Sequence, residues 1–417
     1  MPSTPPPPPP TPRRRTITST FPLFSARRAL RQTTLDKVIN FFAGVKKEDA
    51  KRGENDIDKY NKMHDHHGGD SEARKKGYTD LVNSYYNLAT DFYEIGWGQS
   101  FHFANRFSGE ACLLCASHNF IRQMYLSVVP CAPLHPPPML SRPSLLFTDE
   151  THASSIVRHE YYLAARLGIQ PTDHVLDCGC GIGGPLRNLG RFTGASITGV
   201  TLNQYQVDRG NQLCVDAQLA PRCKLVQADF HKLPFADNTF DHVYSIEACC
   251  HSPDRADVYR EIYRVLKPGG MFVSYEWCLT KKHNPNDPVH IKSKRLIEEG
   301  DGLPDLMPTE HCDESLVKVG FEVIEARDAA HDNNPGGEPW YTILTPSFSP
   351  LQPFRMQFTW IGTFIINLFL NFLELIGLAP KGSGKVREML RQGQLGLVMG
   401  GKMDTFTPMY FVHAKKK

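Results

Sequence analysis

Residues Val175 to Pro185, reading Val-Leu-Asp-Cys-Gly-Cys-Gly-Ile-Gly-Gly-Pro, constrain this chain more than any other stretch. His174 to Asp177 is a short apolar run with β-branched Val175, and the glycines permit positive φ and close backbone approach. Leu186 to Phe192 then resumes at helical spacing, so a strand, a turn and a helix follow in order. The backbone N–H groups of such a turn suit the polar or anionic end of a ligand. Gly179, Gly181 and Gly184 also fit the dinucleotide fingerprint, so the glycines alone do not choose between nucleotide cofactors. That fingerprint wants an acid about 20 residues further on to hold the ribose. Ser196 to Thr201 ends without one, and none occurs between Asp177 and Asp208, which disfavours a dinucleotide.

The pattern around this turn alternates. Helix Ser155 to Leu167, strand His174 to Asp177, strand Ser196 to Val200, helix Gln204 to Ala217 and strand Lys224 to Ala228 come first. Strand His242 to Ile246, helix Ala256 to Val265 and strand Met271 to Tyr275 follow, with Leu316 to Glu325 adding a helix and a strand. Alternating strands and helices predict an α/β fold, a doubly wound, mostly parallel sheet. Ligands on such sheets gather at the carboxyl ends of the strands, which puts Asp177, Thr201, Asp229, Glu247 and Glu276 along one rim.

The acid two positions before the first glycine is followed by Val226-Gln227-Ala228-Asp229-Phe230 and Phe240-Asp241-His242-Val243-Tyr244-Ser245. Together these segments resemble the S-adenosylmethionine-dependent methyltransferase superfamily. The resemblance implies that Asp177 and the turn at Gly179, Gly181 and Gly183 hold the amino-acid part of S-adenosylmethionine. It places Asn203 or Gln204 near the ribose, Asp229 with Phe230 on the adenine, and Glu247 facing the methyl donor.

Ser71 to Phe92 reads as a helix with Tyr78, Leu81, Tyr85, Leu88 and Phe92 on one face. It runs into Tyr93-Glu94-Ile95-Gly96-Trp97-Gly98-Gln99-Ser100-Phe101-His102-Phe103-Ala104. This stretch resembles the tyrosine-glutamate-aromatic-glycine-tryptophan-glycine motif and the serine-phenylalanine-histidine-phenylalanine run of sterol 24-C-methyltransferases. Ile95 departs from the motif, where the family has an aromatic ring. The acidic turn Ile297 to Asp305, Leu378 to Ser383, and Gly400 to Met409 are similar to that family's later segments. The resemblance spans about Tyr78 to the end, an insertion apart.

It implies methyl transfer to the side-chain alkene of a sterol, at carbon 24. Such an alkene is a neutral, weak nucleophile, so positioning carries the first step and a tertiary carbocation follows. Aromatic faces stabilise that cation while water is kept out. Tyr85, Tyr86, Phe92 and Trp97, with Tyr275, Glu276 and Trp277, are the implied substrate wall, and Tyr93 is implied in catalysis. A base must then restore the alkene, and His102, His251, Glu94, Glu247 and Glu276 are the candidates. Aromatic packing alone would also explain the Tyr93 to Phe103 cluster. Two other readings stay open: a methyltransferase for another isoprenoid or lipid, such as a tocopherol-like phenol or a fatty-acyl alkene, and a non-enzymatic lipid- or S-adenosylmethionine-binding module.

The remaining regions set the context. Residues 1–70 carry a polyproline run, Arg13-Arg14-Arg15 and no acid before Asp36, the composition of a transit peptide or of a disordered basic tail. His64, His66 and His67 read as a solvated loop rather than a metal site. Residues 71–110 form the aromatic helical segment, 111–154 a proline-rich insertion, 155–330 the methyltransferase domain and 331–417 a C-terminal domain. In the insertion Cys112, Cys115, His118 and Cys131 do not read as zinc ligands, and the stretch is expected to be dispensable. Eleven cysteines without an even framework suit free thiols, the Cys249-Cys250 pair included, and no metal is expected. A net charge of +3, from 47 basic and 44 acidic residues, gives no field that points to nucleic acid. Thr359 to Leu378 is long and apolar, yet Thr363, Asn367, Asn371 and Glu374 make one polar stripe. That suits a helix on a membrane surface or over a lipid pocket better than a span. A peripheral place on the endoplasmic reticulum is expected, although the basic N-terminus hints at a plastid, and self-association is compatible with the sequence.

Overall fold

The computed structural model describes Tyr60 and residues 71–106, 150–332, 338–349, 353–377, 379 and 382–417. The readings made for the basic N-terminus, for His64, His66 and His67, and for nearly all of the insertion fall outside these residues. The expected first helix is two, Ser71–Lys76 (α1) and Tyr78–Gly96 (α2), divided at Gly77, a poor helix former. His152–Leu167 (α3) begins on Thr151, whose hydroxyl accepts from the Ser154 N–H, and ends on Gly168 at a left-handed φ of 64°.

The sheet then builds as the alternation predicts. His174–Cys178 (β1), Gly184–Thr193 (α4), Ser196–Thr201 (β2), Gln204–Asp216 (α5) and Cys223–Gln227 (β3) lead to Phe240–Ile246 (β4). Arg255–Val265 (α6), Leu266–Leu279 (β5), Pro288–Asp301 (α7), Thr309–Val319 (α8) and Glu322–Asp328 (β6) follow. On β1, Val175 packs into the core that holds Leu186, Ile197 and Tyr275, whereas Leu176 packs into the one that holds Val243, Tyr259 and Phe272. Both faces of the strand are thus covered, which is why it reads as an uninterrupted apolar run.

The chain finishes with Trp360–Leu375 (α9), Ser383–Met403 (α10) and Phe406–Lys415 (β7). Strand β7 enters antiparallel between β5 and β6, giving the order β3-β2-β1-β4-β5-β7-β6. Residues assigned by sequence to a separate C-terminal domain therefore complete the methyltransferase sheet, because Phe406 to Ala414 are buried and need two neighbours. Helix α10 lies along α7 at a glycine crossing: a Cβ at Gly300 would stand 2.2 Å from the Gly393 backbone nitrogen.

Three residues of the polar stripe of helix α9 bond the protein, while Asn367 and Asn371 stay exposed and Leu370 and Leu373 are the buried positions. The Glu374 carboxylate accepts from the Gly384 N–H at 2.8 Å and the Gly382 N–H at 3.3 Å, Asn367 accepts from Arg387, and the Thr363 hydroxyl donates to the Gln357 carbonyl. Its apolar side faces outward, with Trp360 77% and Leu375 84% exposed. Among the described residues no helix is long and apolar enough to cross a membrane.

Candidate active site

Asp177 and the glycine turn open the first of two adjoining cavities at the carboxyl ends of β1, β2 and β4. Asp177 sits on β1 in register with Tyr244 of β4, whose hydroxyl donates to Asp177 Oδ2 at 2.8 Å. Burial pushes the Asp177 acid up to about 7, with the Tyr244 hydrogen bond opposing it. Gly179 at φ 87° packs so tightly that a Cβ would meet Ala248 Cβ at 2.2 Å. Gly181 at φ 52° lines the cavity, and a Cβ there would point toward the Phe101 ring at 3.4 Å. Further round, burial favours the neutral Asp229, but hydrogen bonds from His231 and Tyr78 bring its acid down to about 2. Thr201, Leu202, Gln206 and Phe230 complete this wall.

The second cavity is aromatic. Tyr85, Tyr86, Phe92, Tyr93 and Trp97 come from α2 and the residue that caps it, and Trp277 comes from β5. The turn before α9 adds Phe354 and Phe358, while α10 adds Leu390 and Leu397. The two cavities share Tyr86, Phe101, His102, Glu247 and His251.

Each ionisable group in that shared wall is held in a definite state. Glu247 follows β4 at a strained φ of 55°, its Oε1 accepts from the Phe103 N–H and its Oε2 from the Trp277 indole N–H, both at 2.7 Å. Burial lifts its acid to about 8, against the pull of His102 and these donors. Burial alone would discharge His102, yet Glu160 raises its pKa. Nε2 lies 3.1 Å from Glu160 Oε1 and Nδ1 2.9 Å from the Phe103 carbonyl, so both nitrogens face acceptors and the imidazolium satisfies both. His251 is the opposite case, with burial pushing its pKa down to about 4. Its Nδ1–H donates to the Gly302 carbonyl at 3.2 Å, and Nε2 accepts from the Tyr86 hydroxyl at 2.8 Å.

Residues 176–274 match the family described as methyltransferase domain, and residues 354–416 the family described as sterol methyltransferase C-terminal. The chain is 43% identical over 386 residues to cycloartenol-C-24-methyltransferase 1 of Oryza sativa subsp. japonica, covering 93% of this chain and 98% of that protein. It belongs to the sterol 24-C-methyltransferase family. The cycloartenol-C-24-methyltransferase of Arabidopsis thaliana is 46% identical over 86% of this chain and 94% of its own length. The sterol 24-C-methyltransferase of Saccharomyces cerevisiae is 38% identical over 83% of this chain and 80% of its own. Solved structures agree on the fold, that of class I S-adenosylmethionine methyltransferases. The [4+2]-cyclase SpnF has a TM-score of 0.53 at 18% identity, covering 81% of this chain and 96% of its own. The geranyl diphosphate C-methyltransferase of Streptomyces coelicolor A3(2) has 0.51 at 15%, covering 82% of this chain and 98% of its own.

This methyltransferase uses S-adenosylmethionine, and its first cavity fits that molecule: a buried carboxylate for an ammonium, a glycine backbone left open where a side chain would intrude, and Asp229 beside Phe230. Several sequence-predicted residues lie elsewhere. Glu94 is taken up by Arg209 at 2.6 and 2.9 Å, outside both cavities, which removes it as a base. Asn203 caps α5 and donates to Asn87, and exposed Gln204 bonds Asp208; neither lines the first cavity, whereas Gln206 on the inner face of α5 does. Tyr275 stacks on His159 with ring centres 3.8 Å apart, beneath α3. Glu276 points to the opposite face, where the Tyr259 hydroxyl donates to it at 3.2 Å and Arg255 pairs with it at 3.5 Å. Neither Tyr275 nor Glu276 lines either of the two cavities, so the expected rim loses its last member. Gly183 caps α4 at φ 73° rather than lining the site. Every cysteine among the described residues is free and buried, Cys249 and Cys250 included.

Proposed function

We propose that this enzyme joins a methyl group to carbon 24 of a sterol side chain and that the wall shared by the two cavities is where the transfer happens. S-adenosylmethionine supplies an electrophilic methyl on a sulfonium. The chain's part is to hold that methyl in line with the alkene, since effective concentration is worth several powers of ten when two reactants are oriented. The observation that carries the reading is that Tyr86, Phe101, His102, Glu247 and His251 belong to both cavities. Tyr86, Tyr93 and Trp97 offer ring faces to the side-chain cation that follows, and Glu247, held by the Phe103 and Trp277 N–H groups, lines the same wall. Challenging the purified enzyme with a Δ24 sterol, the sterol saturated in its side chain, and a prenylated phenol tests this reading. Methyl transfer to the Δ24 sterol alone is expected, and transfer to the phenol in its place would overturn it.

We further propose that α9 rests on a membrane surface, where sterols reside, and that the endoplasmic reticulum is that membrane. In support, Trp360, Phe364, Leu368, Phe372 and Leu375 are exposed on a helix whose Thr363, Asn367 and Glu374 bond the protein. The turn preceding α9 also reaches the aromatic cavity through Phe354 and Phe358, giving a lipid a short route from surface to site.

A further inference from the structure

Asp301, the last residue of α7, lines the aromatic cavity and is only 7% exposed. Its Oδ2 has no hydrogen-bond partner. Tyr93 engages the same side chain, and Tyr85 bonds Tyr93 through its hydroxyl. Room for the free oxygen comes from Gly393 of α10, where a Cβ would lie 2.8 Å from Oδ2. A buried acid with an orphan oxygen is costly, so its presence beside the reacting groups calls for a reason.

The other acid/base groups of this cavity have their acceptor atoms engaged. Each Glu247 oxygen takes a fixed N–H, both His102 nitrogens donate, and His251 Nε2 is covered by the Tyr86 hydroxyl. Among the cavity's carboxylates and imidazoles in the described residues, Asp301 alone keeps an oxygen without a donor.

We propose that Asp301 is the catalytic base that restores the alkene after methyl transfer. The C–H bond next to the cationic carbon breaks, its electron pair becomes the new C=C bond, and the proton bonds to the Asp301 carboxylate. Burial holds the Asp301 acid well above the ordinary range in the free protein, and the sulfonium charge brought into the cavity favours loss of that proton to solvent before the alkene reacts, leaving the carboxylate as the base. This assignment rests on the sterol-alkylation reading.

The test compares wild type and Asp301→Asn with labelled S-adenosylmethionine and a Δ24 sterol, separating methylated alkenes from methylated alcohols. In the variant, S-adenosylmethionine binding by calorimetry should stay within about threefold, alkene formation should fall about 10²-fold, and alcohols from water capture of the cation should rise. Unchanged alkene yield at the wild-type rate overturns the assignment. If Asp301→Asn does not fold, Gly393→Ala keeps the acid but crowds its free oxygen; a shift toward alcohols supports the assignment and an unchanged product ratio overturns it. A wild type that leaves the sterol unmethylated would instead remove the sterol reading itself.

Discussion

Tyr86 Oη stands 2.8 Å from His251 Nε2, and the other nitrogen of that ring donates to the Gly302 carbonyl 3.2 Å away. The imidazole is thereby fixed as a neutral tautomer that holds the Tyr86 ring against both cavities. Since the two side chains act as one unit, Tyr86→Phe and His251→Leu should each lower turnover by about 10²-fold, the cost of a misplaced wall. The double variant should be no slower than the slower single, which steady-state kinetics will show.

Asp177 and Glu247 carry raised acid pKa values of about 7 and about 8 in the free protein. Carboxyl groups in an unfolded chain titrate near 4, so the folded state binds these protons more tightly. Their contribution to stability is full below about pH 4 and is lost as pH rises through 7 to 8. Relative to wild type, Asp177→Asn and Glu247→Gln should therefore gain stability between pH 5 and pH 8, measured by urea denaturation at each pH.

Affinity for S-adenosylmethionine should move the opposite way. With the proposed pairing of its ammonium to ionised Asp177, binding should tighten from pH 6 to pH 8 in wild type. Asp177→Asn should weaken binding at pH 8 and flatten the dependence, as read by calorimetry.

Placing charge on the outer side of α9, with Phe364→Glu and Leu368→Glu together, should lower binding to phosphatidylcholine–phosphatidylserine vesicles at least about tenfold. Both positions are exposed, so the melting temperature should not change. Flotation and calorimetric scanning check the two halves.

The parallel part of the sheet was legible because β1, β2 and β4 are short, apolar and punctuated, and Asp177 was legible because an acid before a glycine turn is a local pattern. What escaped was non-local. Phe406–Lys415 reads as one more apolar strand, and nothing in its residues says that it slides between two strands formed more than 75 residues earlier. Asp301 looked like one of several acids in a turn, and only the Gly300–Gly393 crossing brings it to the cavity. Glu276 stands beside Trp277 in sequence, but strand alternation turns it to the opposite face, toward α6, while Tyr275 shares the face of Trp277 and is covered by His159 of α3. Glu94 failed for a similar reason, since Arg209 on α5 claims it. Gln206 carried a usable signal: it lies two residues beyond Gln204, far enough round the helix to face inward.

The most direct measurement is to supply S-adenosylmethionine bearing a carbon-13 methyl together with a Δ24 sterol and to locate the label by NMR and mass spectrometry. A labelled carbon bonded to carbon 24 of the side chain is the predicted result. Label on the sterol hydroxyl, or no labelled sterol from an enzyme that binds S-adenosylmethionine, would contradict the account.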